Sequence, residues 1–281
     1  MDLGHIDIRL EQELRRSLDG GTELFMAYQP KLDLLCGKVV GLEALIRWQH
    51  PTRGLVLPDA FIPLAEDSLL ITPLGDWVLA SVIRQIKAWR GSELEDVPLS
   101  INLSPLQLRD AGFPARAASL CHSQGIEPTL LEFEITENAF IGDFAHATHT
   151  LNAIKADGFR LSLDDFGTGY SSLSYLANLP LDALKLAGSF IGSIEENSKT
   201  ASILRAVIAL SRELGLELIV EGVETLEQHR WLRNAGCDIG QGYYYSHPLP
   251  SERLLDEIRN GFPSRPQSAH PPRRAEVFPS F

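Results

Sequence analysis

Short apolar runs alternate with amphipathic segments along most of this chain, and no other feature limits its possible folds as strongly. A helix that joins two strands carries the chain back to the starting edge of the sheet, so repeated units of this kind build a parallel sheet. The pattern predicts strands at residues 25–29, 39–48, 97–103, 131–136, 159–164, 183–186, 217–223 and 240–245. It predicts helices at residues 59–67, 73–89, 113–124, 138–157, 200–214, 225–234 and 251–260.

The first two predicted strands are joined by too few residues for a crossover helix, so we expect them to pair as an antiparallel hairpin. About eight strands with outer helices in 281 residues favour a modified (β/α)8 barrel of the TIM type over an open doubly wound sheet. The predicted fold is therefore α/β with an antiparallel first strand. No G-x-G-x-x-G motif follows a strand, which argues against a dinucleotide-binding sheet.

Composition limits the partners of the chain. Hydrophobic residues make up 44% of the sequence, enough for a sizeable core. The net charge of −12 argues against binding of a nucleic-acid polymer or a membrane surface through a basic patch, and an anionic substrate would need metal ions. The three cysteines, Cys36, Cys121 and Cys237, fit no disulfide framework or zinc cluster. We interpret all three as small buried apolar residues in a reducing compartment.

The ends of the chain carry no recognisable targeting segment. A signal peptide and a transmembrane run are both missing from the sequence, which predicts a cytoplasmic location, with the alternative that the chain is the cytoplasmic part of a larger protein. Residues 1–22 are expected to form a lead-in with one helix from Ile8 to Leu18, and residues 23–261 to form the barrel. Residues 262–281 are rich in Pro and Arg and are predicted to be disordered.

Two adjacent acidic residues, Asp164 and Asp165, end the fifth predicted strand and precede a glycine-rich loop. Consecutive residues of a strand point to opposite faces, so two such carboxylates can converge only where the strand geometry relaxes at its end. Converging carboxylates repel each other unless a cation lies between them. The pair therefore predicts a divalent metal site, with one carboxylate bridging two ions.

Other polar residues also lie at or near the ends of predicted strands, and active sites of barrels gather at the carboxyl ends of their strands. The residues expected to share this rim are Glu43, Asn102, Glu134, Asp164, Asp165, Lys185, Glu221, Glu224 and Gln241. The Glu, Asn and Asp residues of this set offer only oxygen atoms, which suit two Mg²⁺ or Mn²⁺ ions, and such ions can clamp a phosphodiester and activate a water for in-line attack. Lys185 would position that water or stabilise charge on phosphorus, and Glu221 would bind metal or accept a proton.

Simpler explanations exist for each residue alone. A strand-end glutamate usually lies in solvent or caps a helix. Asn102 could start a turn before Pro105, Lys185 could lie over the surface of the sheet, and Arg47 could pair with an acid on the exterior. The recurrence of polar residues at one end of several strands favours a common site.

Eight ordered segments carry a resemblance to a known family. They are YQPKLDL from Tyr28, EALIRW from Glu43, INLSP from Ile101, EFEITEN from Glu132, DDFGTGYSSLSYL from Asp164, LKL from Leu184, VEGVET from Val220 and GQGYYYSHPL from Gly240. Together, over residues 10–260, the chain resembles the EAL-domain family of cyclic di-GMP phosphodiesterases. The resemblance implies a modified barrel with two antiparallel first strands and the hydrolysis of cyclic di-GMP to linear pGpG with Mg²⁺ or Mn²⁺.

The resemblance also implies roles for individual residues. The ligands of the first metal would be Glu43, Asn102, Glu134 and Asp164, with Asp164 bridging to a second metal held by Asp165 and Glu221. Lys185 would hold the attacking water, and Glu221 would act as general base. The remaining implied residues are Gln29 and Arg47 as substrate contacts, Glu224 and Gln241 as support for the metal-bound waters, and Glu137 as the anchor of the loop after Asp165.

A homodimer is expected from the same resemblance, as are sensory or cyclase-like domains attached in a full-length signalling protein. One departure affects the expected activity: the family usually has K-I-D after the lysine, whereas Leu186 and Ala187 follow Lys185 here. Loss of a supporting carboxylate can lower metal affinity or rate. A catalytically weak receptor for cyclic di-GMP is therefore the alternative to an enzyme, and the retained acidic set favours the enzyme.

Overall fold

The computed structural model describes residues 8–140, 143–167, 176–192, 194 and 199–262. Within them the helices are Ile8–Leu18 (α1), Pro58–Asp67 (α2), Ile71–Ala88 (α3), Pro105–Leu108 (α4), Phe113–Gln124 (α5), Phe144–Ala156 (α6), Lys199–Glu213 (α7), Leu226–Ala235 (α8) and Ser251–Asn260 (α9). The strands are Leu24–Asp33 (β1), Val39–His50 (β2), Gly54–Val56 (β3), Leu99–Asn102 (β4), Leu131–Thr136 (β5), Arg160–Phe166 (β6), Ala183–Leu186 (β7), Glu217–Val220 (β8) and Ile239–Gln241 (β9).

Eight of these strands close into a barrel in the order β1-β9-β8-β7-β6-β5-β4-β2, and pairing of β1 with β2 completes the ring. The short strand β3 extends β2 outside it. β1 runs antiparallel to both of its neighbours, while the pairings from β2 through β4 to β9 are parallel. The predicted modified (β/α)8 barrel and its antiparallel first hairpin are confirmed.

In β4, β5 and β6, apolar residues that face the helices alternate with polar residues that face the space inside the barrel, here called the lumen. In β5, Phe133 packs edge-on against Phe113 of α5 and against Phe159. Glu132 and Glu134 point to the opposite face of the same strand. Each large apolar side chain in the outer layer contributes about 1.5–3 kcal/mol by burial. The apolar outer layer therefore stabilises a barrel with a polar interior.

The lead-in helix α1 packs onto the barrel. Leu10 and Leu14 are buried in the common core, and Glu13 Oε2 lies 3.0 Å from His50 Nε2 of β2. The predicted tail lies outside the described residues except for Phe262, which is buried. Among the helices that the structure describes, none combines the length and the apolar character needed to cross a membrane.

The predicted helix at residues 138–157 begins later than expected. Residues Glu137–Phe140 form a 3-10 turn, and the α-helix α6 starts after Asp143. The Asp143 side chain accepts a hydrogen bond from the His146 N–H at 2.9 Å, an N-cap that starts a new helix at this point.

Strand β1 continues through Pro30, where the prediction ended it. The Tyr28 N–H donates to Leu249 O, so the backbone nitrogen two residues later also points away from β2. Pro30 therefore removes no hydrogen bond from the β1–β2 pairing. The strand reaches Asp33 and carries Lys31 into the lumen.

The last strand is shorter than its predicted span of residues 240–245. It ends at Gln241, and Gly242 has a φ of 157°. A Cβ on Gly242 would lie 2.2 Å from Val223 O, so the chain can pass this close to the loop after β8 only with glycine. The Tyr244 N–H then donates to Val223 O, which joins the two loops at the barrel rim.

Cys36 corrects the interpretation of the cysteines. Cys121 and Cys237 are buried free thiols, as expected, whereas Cys36 is exposed. It lies in the turn between β1 and β2, where Asp33 Oδ1 accepts hydrogen bonds from the N–H groups of Leu35 and Cys36. This side-chain-capped turn holds Cys36 at the surface.

Candidate metal centre

The carboxyl ends of the parallel strands surround one buried lysine. Lys185 Nζ lies 2.6 Å from Glu134 Oε2, 2.8 Å from Glu221 Oε1, 3.2 Å from Asp164 Oδ1 and 3.4 Å from Glu43 Oε2. Its side chain has 0% exposure, so the interpretation of Lys185 as a surface residue is wrong. These five predicted residues, four on strands and Glu221 directly after β8, therefore meet at the end of the lumen where the parallel strands finish, here called its upper end.

Asp164 and Asp165 converge because β6 is irregular at its end. The pairing of β6 with β7 shifts register between Leu163 and Phe166, and Asp165 has a φ of 55°, in the left-handed region. One carboxylate oxygen from each aspartate and one from Glu221 lie within 4.8 Å of one another. A non-glycine residue in this conformation costs roughly 1–2 kcal/mol, so the fold sustains strain to bring the two carboxylates together.

Glu43 of β2 is held by amide side chains on both of its oxygens. Asn102 Nδ2 donates to Oε1 at 3.0 Å, and Gln241 Nε2 donates to Oε2 at 2.6 Å. The same Gln241 nitrogen lies 3.0 Å from Gln29 Oε1, and Gln29 in turn donates to Ser246 O. Four of the predicted site residues thus form one hydrogen-bonded group beside Lys185.

The turn after β4 begins at Ser104, two residues beyond Asn102. The Ser104 hydroxyl accepts from the Leu106 N–H, and Gln107 Oε1 accepts from the Ser104 N–H, which forms a capping box for α4. Asn102 is not needed for this turn, and its amide is directed at Glu43.

The group formed by Lys185 and five carboxylates is called the upper cluster; its acids are Glu43, Glu134, Asp164, Asp165 and Glu221. Burial disfavours the charge of Lys185, but the surrounding carboxylates outweigh burial and raise its pKa well above the usual range. Burial, with Glu134, Glu221 and Glu43 nearby, raises the pKa of Asp164 to about 8 despite Lys185. Burial also raises the pKa of Glu221. The upper cluster therefore holds more acid than its lysine can neutralise.

The donor set of the upper cluster fits divalent cations. Four carboxylates lie within 3.4 Å of one ammonium group there, and Asp165 adds a fifth beside Asp164 and Glu221. The buried Gln241 Oε1 has no hydrogen-bond partner within the described part of the chain. Unpaired buried charges and acceptors are costly, and a cation would compensate both. Ligands that are all oxygen suit Mg²⁺ or Mn²⁺ better than Zn²⁺.

Three predicted residues lie at the margin of this group. Arg47 is half-buried, donates to Ile46 O at 2.9 Å, and has its pKa lowered by burial. Glu137 Oε1 accepts from the Gly167 N–H at 3.0 Å, where the glycine-rich loop starts; residues 168–175 of that loop lie outside the description. Glu224 is exposed, and no hydrogen bond or ion pair between described residues joins its side chain to the upper cluster.

Two further charged residues of the lumen were missed by the sequence analysis. Lys31 Nζ lies 2.8 Å from Glu134 Oε1 and 2.9 Å from Glu132 Oε1. Burial favours the neutral acid at Glu134, yet Lys185 and Lys31 outweigh burial and lower its pKa to about 2. Strand periodicity could have indicated Glu132, which shares a face with Glu134 two residues later, but Lys31 lay beyond the predicted end of β1.

Sequence comparison identifies relatives of the chain. The EAL domain profile matches residues 11–248. MucR of Pseudomonas aeruginosa, a bifunctional diguanylate cyclase/cyclic di-GMP phosphodiesterase, is 40% identical over 253 residues, which cover 89% of this chain and 36% of MucR. NbdA of the same species, a cyclic di-GMP phosphodiesterase, is 40% identical over 253 residues, which cover 90% of this chain and 32% of NbdA. The chain spans about a third of the length of these relatives.

Solved structures show the same architecture. The PaMucR phosphodiesterase in its c-di-GMP complex superposes with a TM-score of 0.83 at 39% identity, covering 88% of this chain and 99% of that one. An EAL domain protein from Listeria monocytogenes EGD-e gives a TM-score of 0.79 at 31% identity, covering 92% of this chain and 99% of that one. By profile, sequence identity and fold, this chain belongs to the EAL domain family.

Proposed function

We propose that the chain is a metal-dependent phosphodiesterase that hydrolyses cyclic di-GMP to linear pGpG. The observation that carries the proposal is the upper cluster, in which four carboxylates surround one buried lysine and a fifth, that of Asp165, lies beside Asp164 and Glu221. The similarity to MucR and NbdA, both named for this activity, supports the choice of substrate.

Two divalent ions, Mg²⁺ or Mn²⁺, are proposed for the upper cluster. The first would be held by Glu43, Asn102, Glu134 and Asp164, and the second by Asp164, Asp165 and Glu221. The proximity of carboxylate oxygens from Asp164, Asp165 and Glu221 supports the second set. When bound, such ions neutralise charge on a phosphodiester and lower the pKa of a water molecule.

Lys185 and Glu221 are proposed to handle the attacking water. The Lys185 ammonium is fixed by buried carboxylates and can donate a hydrogen bond to the water oxygen. Glu221 lies 2.8 Å from this ammonium and is positioned to accept the proton that the water loses. The water oxygen would bond to phosphorus as the bond from phosphorus to the ribose 3′ oxygen breaks, and the departing oxygen would take a proton from solvent.

The residues around the upper cluster are proposed to bind and orient the substrate. Arg47 suits a phosphate oxygen, because a guanidinium can donate two parallel hydrogen bonds, and Gln29 would offer a second polar contact. Gln241 links Gln29 to Glu43 and would also support metal-bound waters, as would Glu224. Glu137 would anchor the loop that follows Asp165, a role supported by its hydrogen bond from Gly167.

A slow receptor that binds cyclic di-GMP is the second candidate, and Ala187 is the observation that favours it. Ala187 is buried directly after β7, where the family usually has an aspartate. The next residue, Gly188, packs so closely on Gly222 that a Cβ there would lie 3.0 Å from Gly222 Cα. Ala187, which replaces the family's usual aspartate, therefore lies beside the segment that carries Glu221. The complete acidic set still favours the enzyme.

Product formation separates the two candidates. Purified protein incubated with cyclic di-GMP and Mg²⁺ or Mn²⁺ should yield pGpG, followed by chromatography, and chelation should stop the reaction. Tight binding without metal-dependent product, in folded protein, would favour the receptor. Ala187→Asp should raise the rate or relax the metal requirement if the missing carboxylate limits activity. An unchanged rate and metal requirement would show that position 187 is not limiting.

We further propose that the chain acts in the cytoplasm as a homodimer, attached in a longer protein to sensory or cyclase-like domains. The attachment is supported by the relatives, of which the chain spans about a third. An exposed free thiol at Cys36 is consistent with a reducing compartment. Light scattering of the purified chain would test the dimer; a mass of one chain at micromolar concentration would contradict it.

A further inference from the structure

Lys31 lies in the lumen directly below a proposed metal ligand. Its ammonium is 2.8 Å from Glu134 Oε1, while Lys185 lies 2.6 Å from Glu134 Oε2. β1 and β5 are not neighbours in the barrel, so the contact between Lys31 and Glu134 crosses the lumen. The two oxygens of one carboxylate therefore face two ammonium groups from opposite sides.

Local packing and charge hold Lys31 in this position. Its backbone pairs with Gly41 of β2, and a Cβ at Gly41 would lie 3.3 Å from Lys31 Cδ, so the glycine leaves room for the lysine stem. The same ammonium contacts Glu132, which is also bound by Arg160 Nε at 3.3 Å. Arg160 in turn pairs with Glu217. These four charged residues, Lys31, Glu132, Arg160 and Glu217, are called the lower ladder.

We propose that Lys31 is a positioning residue for the metal centre, a role that rests on the proposed metal-dependent function. By holding Glu134 Oε1, Lys31 leaves Oε2 turned towards the Lys185 ammonium, which also contacts Glu43 and Asp164, the other carboxylates proposed to hold the first cation. Lys31 does not contact the substrate or the cation. Its effect is to keep one ligand oxygen in the orientation that binding requires.

A purely electrostatic role and a positioning role for Lys31 predict opposite changes in metal affinity when the lysine is removed. A positive charge this close to a cation site weakens cation binding, so its removal would tighten binding if orientation were unimportant. Positioning predicts weaker binding after the same removal, because the freed carboxylate can rotate or take up a proton. The sign of the change in Mn²⁺ affinity therefore distinguishes the two roles.

The test is a titration of the whole purified chain with Mn²⁺, without substrate, followed by electron paramagnetic resonance and calorimetry. Lys31→Met should weaken Mn²⁺ binding by about 10- to 100-fold, the range found for groups that orient metal ligands. The matched control is Glu132→Gln, which removes a partner of Lys31 but keeps its contact with Glu134. That control should bind Mn²⁺ within about threefold of the unmodified chain.

Two further variants keep the test decisive if Lys31→Met does not fold. The double variant Lys31→Met with Glu132→Gln removes one ammonium and one acid together, and it should show the same loss of Mn²⁺ affinity. Lys31→Arg retains the donor and should restore part of the affinity. Unchanged or tighter Mn²⁺ binding in the folded Lys31→Met variant, or in the double variant, would overturn the proposal.

The failure of this proposal is distinguishable from the failure of the proposed function. If the unmodified chain binds Mn²⁺ but forms no pGpG, the enzymatic function fails while the Mn²⁺ titrations still measure the role of Lys31. If the chain forms pGpG and the Lys31 variants bind Mn²⁺ normally, only the role of Lys31 fails. If the unmodified chain binds no Mn²⁺, both are overturned.

Discussion

The two ends of the barrel lumen differ in how far their acidic side chains are balanced by cationic ones. In the lower ladder two acids face two cations: Glu132 contacts both Lys31 and Arg160, and Glu217 contacts Arg160. In the upper cluster the ammonium of Lys185 serves four carboxylates within 3.4 Å, and of these Glu134 also receives Lys31 from the lower ladder. The excess of negative charge is therefore confined to the end at which parallel strands finish. An excess of negative charge at one end of the lumen indicates a cation-binding site there, whereas the paired charges at the other end stabilise the barrel.

The excess of negative charge in the upper cluster lowers the stability of that end of the barrel. Buried carboxylates without full compensation are unfavourable, and the left-handed conformation of Asp165 adds strain. The apolar layer between strands and helices, which includes Phe113, Phe133 and Phe159, supplies the stability that tolerates both. Function and stability thus depend on opposite faces of the same strands.

The largest expected effect is at Glu43. Glu43→Gln replaces a charged ligand with a neutral amide, and we expect pGpG formation to fall at least about 100-fold. The reaction rate is measured in Mg²⁺ and Mn²⁺, with circular dichroism to verify folding. A lower-ladder substitution of the same kind, Glu132→Gln, is the control and should change the rate little. A rate close to normal in Glu43→Gln would contradict the assignment of Glu43 as a metal ligand.

Lys185→Met should reveal the excess of negative charge in the upper cluster through its effect on stability. Without the Lys185 ammonium, Glu43, Asp164 and Glu221 lose this cationic partner while Glu134 keeps Lys31, and the metal-free protein should lose about 3–5 kcal/mol of unfolding free energy. Mn²⁺ should restore part of that loss, because a cation supplies the missing positive charge. Urea unfolding with and without Mn²⁺ measures both effects. An equal loss in the two conditions would contradict a cation site at this position.

The raised pKa of Asp164 predicts how metal-free stability depends on pH. This carboxyl has a pKa of about 8 in the folded protein, above its ordinary value of 3.8, so folding favours its protonated form. Its stabilising contribution is complete below the ordinary pKa and is lost as pH rises to about 8. Thermal unfolding between pH 5 and 8 should therefore show a steeper fall for the unmodified chain than for Asp164→Asn. Equal slopes would contradict the raised pKa.

Asp165→Gly should separate stability from activity. Glycine accepts a φ of 55° without strain, so the metal-free variant should gain about 1 kcal/mol of stability while pGpG formation falls. Asp165→Asn is the matched control, because asparagine tolerates the same conformation but lacks the charge. Asp165→Asn should lose activity without the gain in stability expected for Asp165→Gly. A loss of stability in Asp165→Gly would show that the conformation is not strained.

The smallest expected effect is at Glu224. Its side chain is exposed and, in the described part of the chain, makes no hydrogen bond or ion pair with the upper cluster, so we expect its support of metal-bound waters to be weak and Glu224→Gln to lower turnover by less than about threefold. Steady-state rates of pGpG formation measure this effect. A 100-fold loss would show that Glu224 supports the metal-bound waters far more strongly than its exposed position indicates.

Residues at strand ends were predictable because their position follows from simple rules. Alternation of apolar and polar residues located Glu43, Glu134 and Lys185 on the lumen side of their strands, and the parallel topology brought them together. The convergence of Asp164 with Asp165 followed from the end of a strand. The left-handed conformation of Asp165 did not, since a non-glycine residue adopts it only under tertiary constraint.

Lys31 was unpredictable for a different reason. The predicted strand ended before Pro30, but the missing N–H of Pro30 faces away from β2, so β1 continues and delivers Lys31 to the lumen. A partner for Glu134 on a strand that is not its neighbour depends on barrel closure. Such a contact is determined by the whole topology rather than by any local pattern.

The most direct test of the charge imbalance is a crystal of the chain grown with Mn²⁺, with anomalous scattering data collected near the manganese absorption edge. The account predicts two anomalous peaks in the upper cluster, on either side of Asp164, and none along the lower ladder. The absence of a peak beside Asp164, or a peak among Lys31, Glu132 and Arg160, would contradict it.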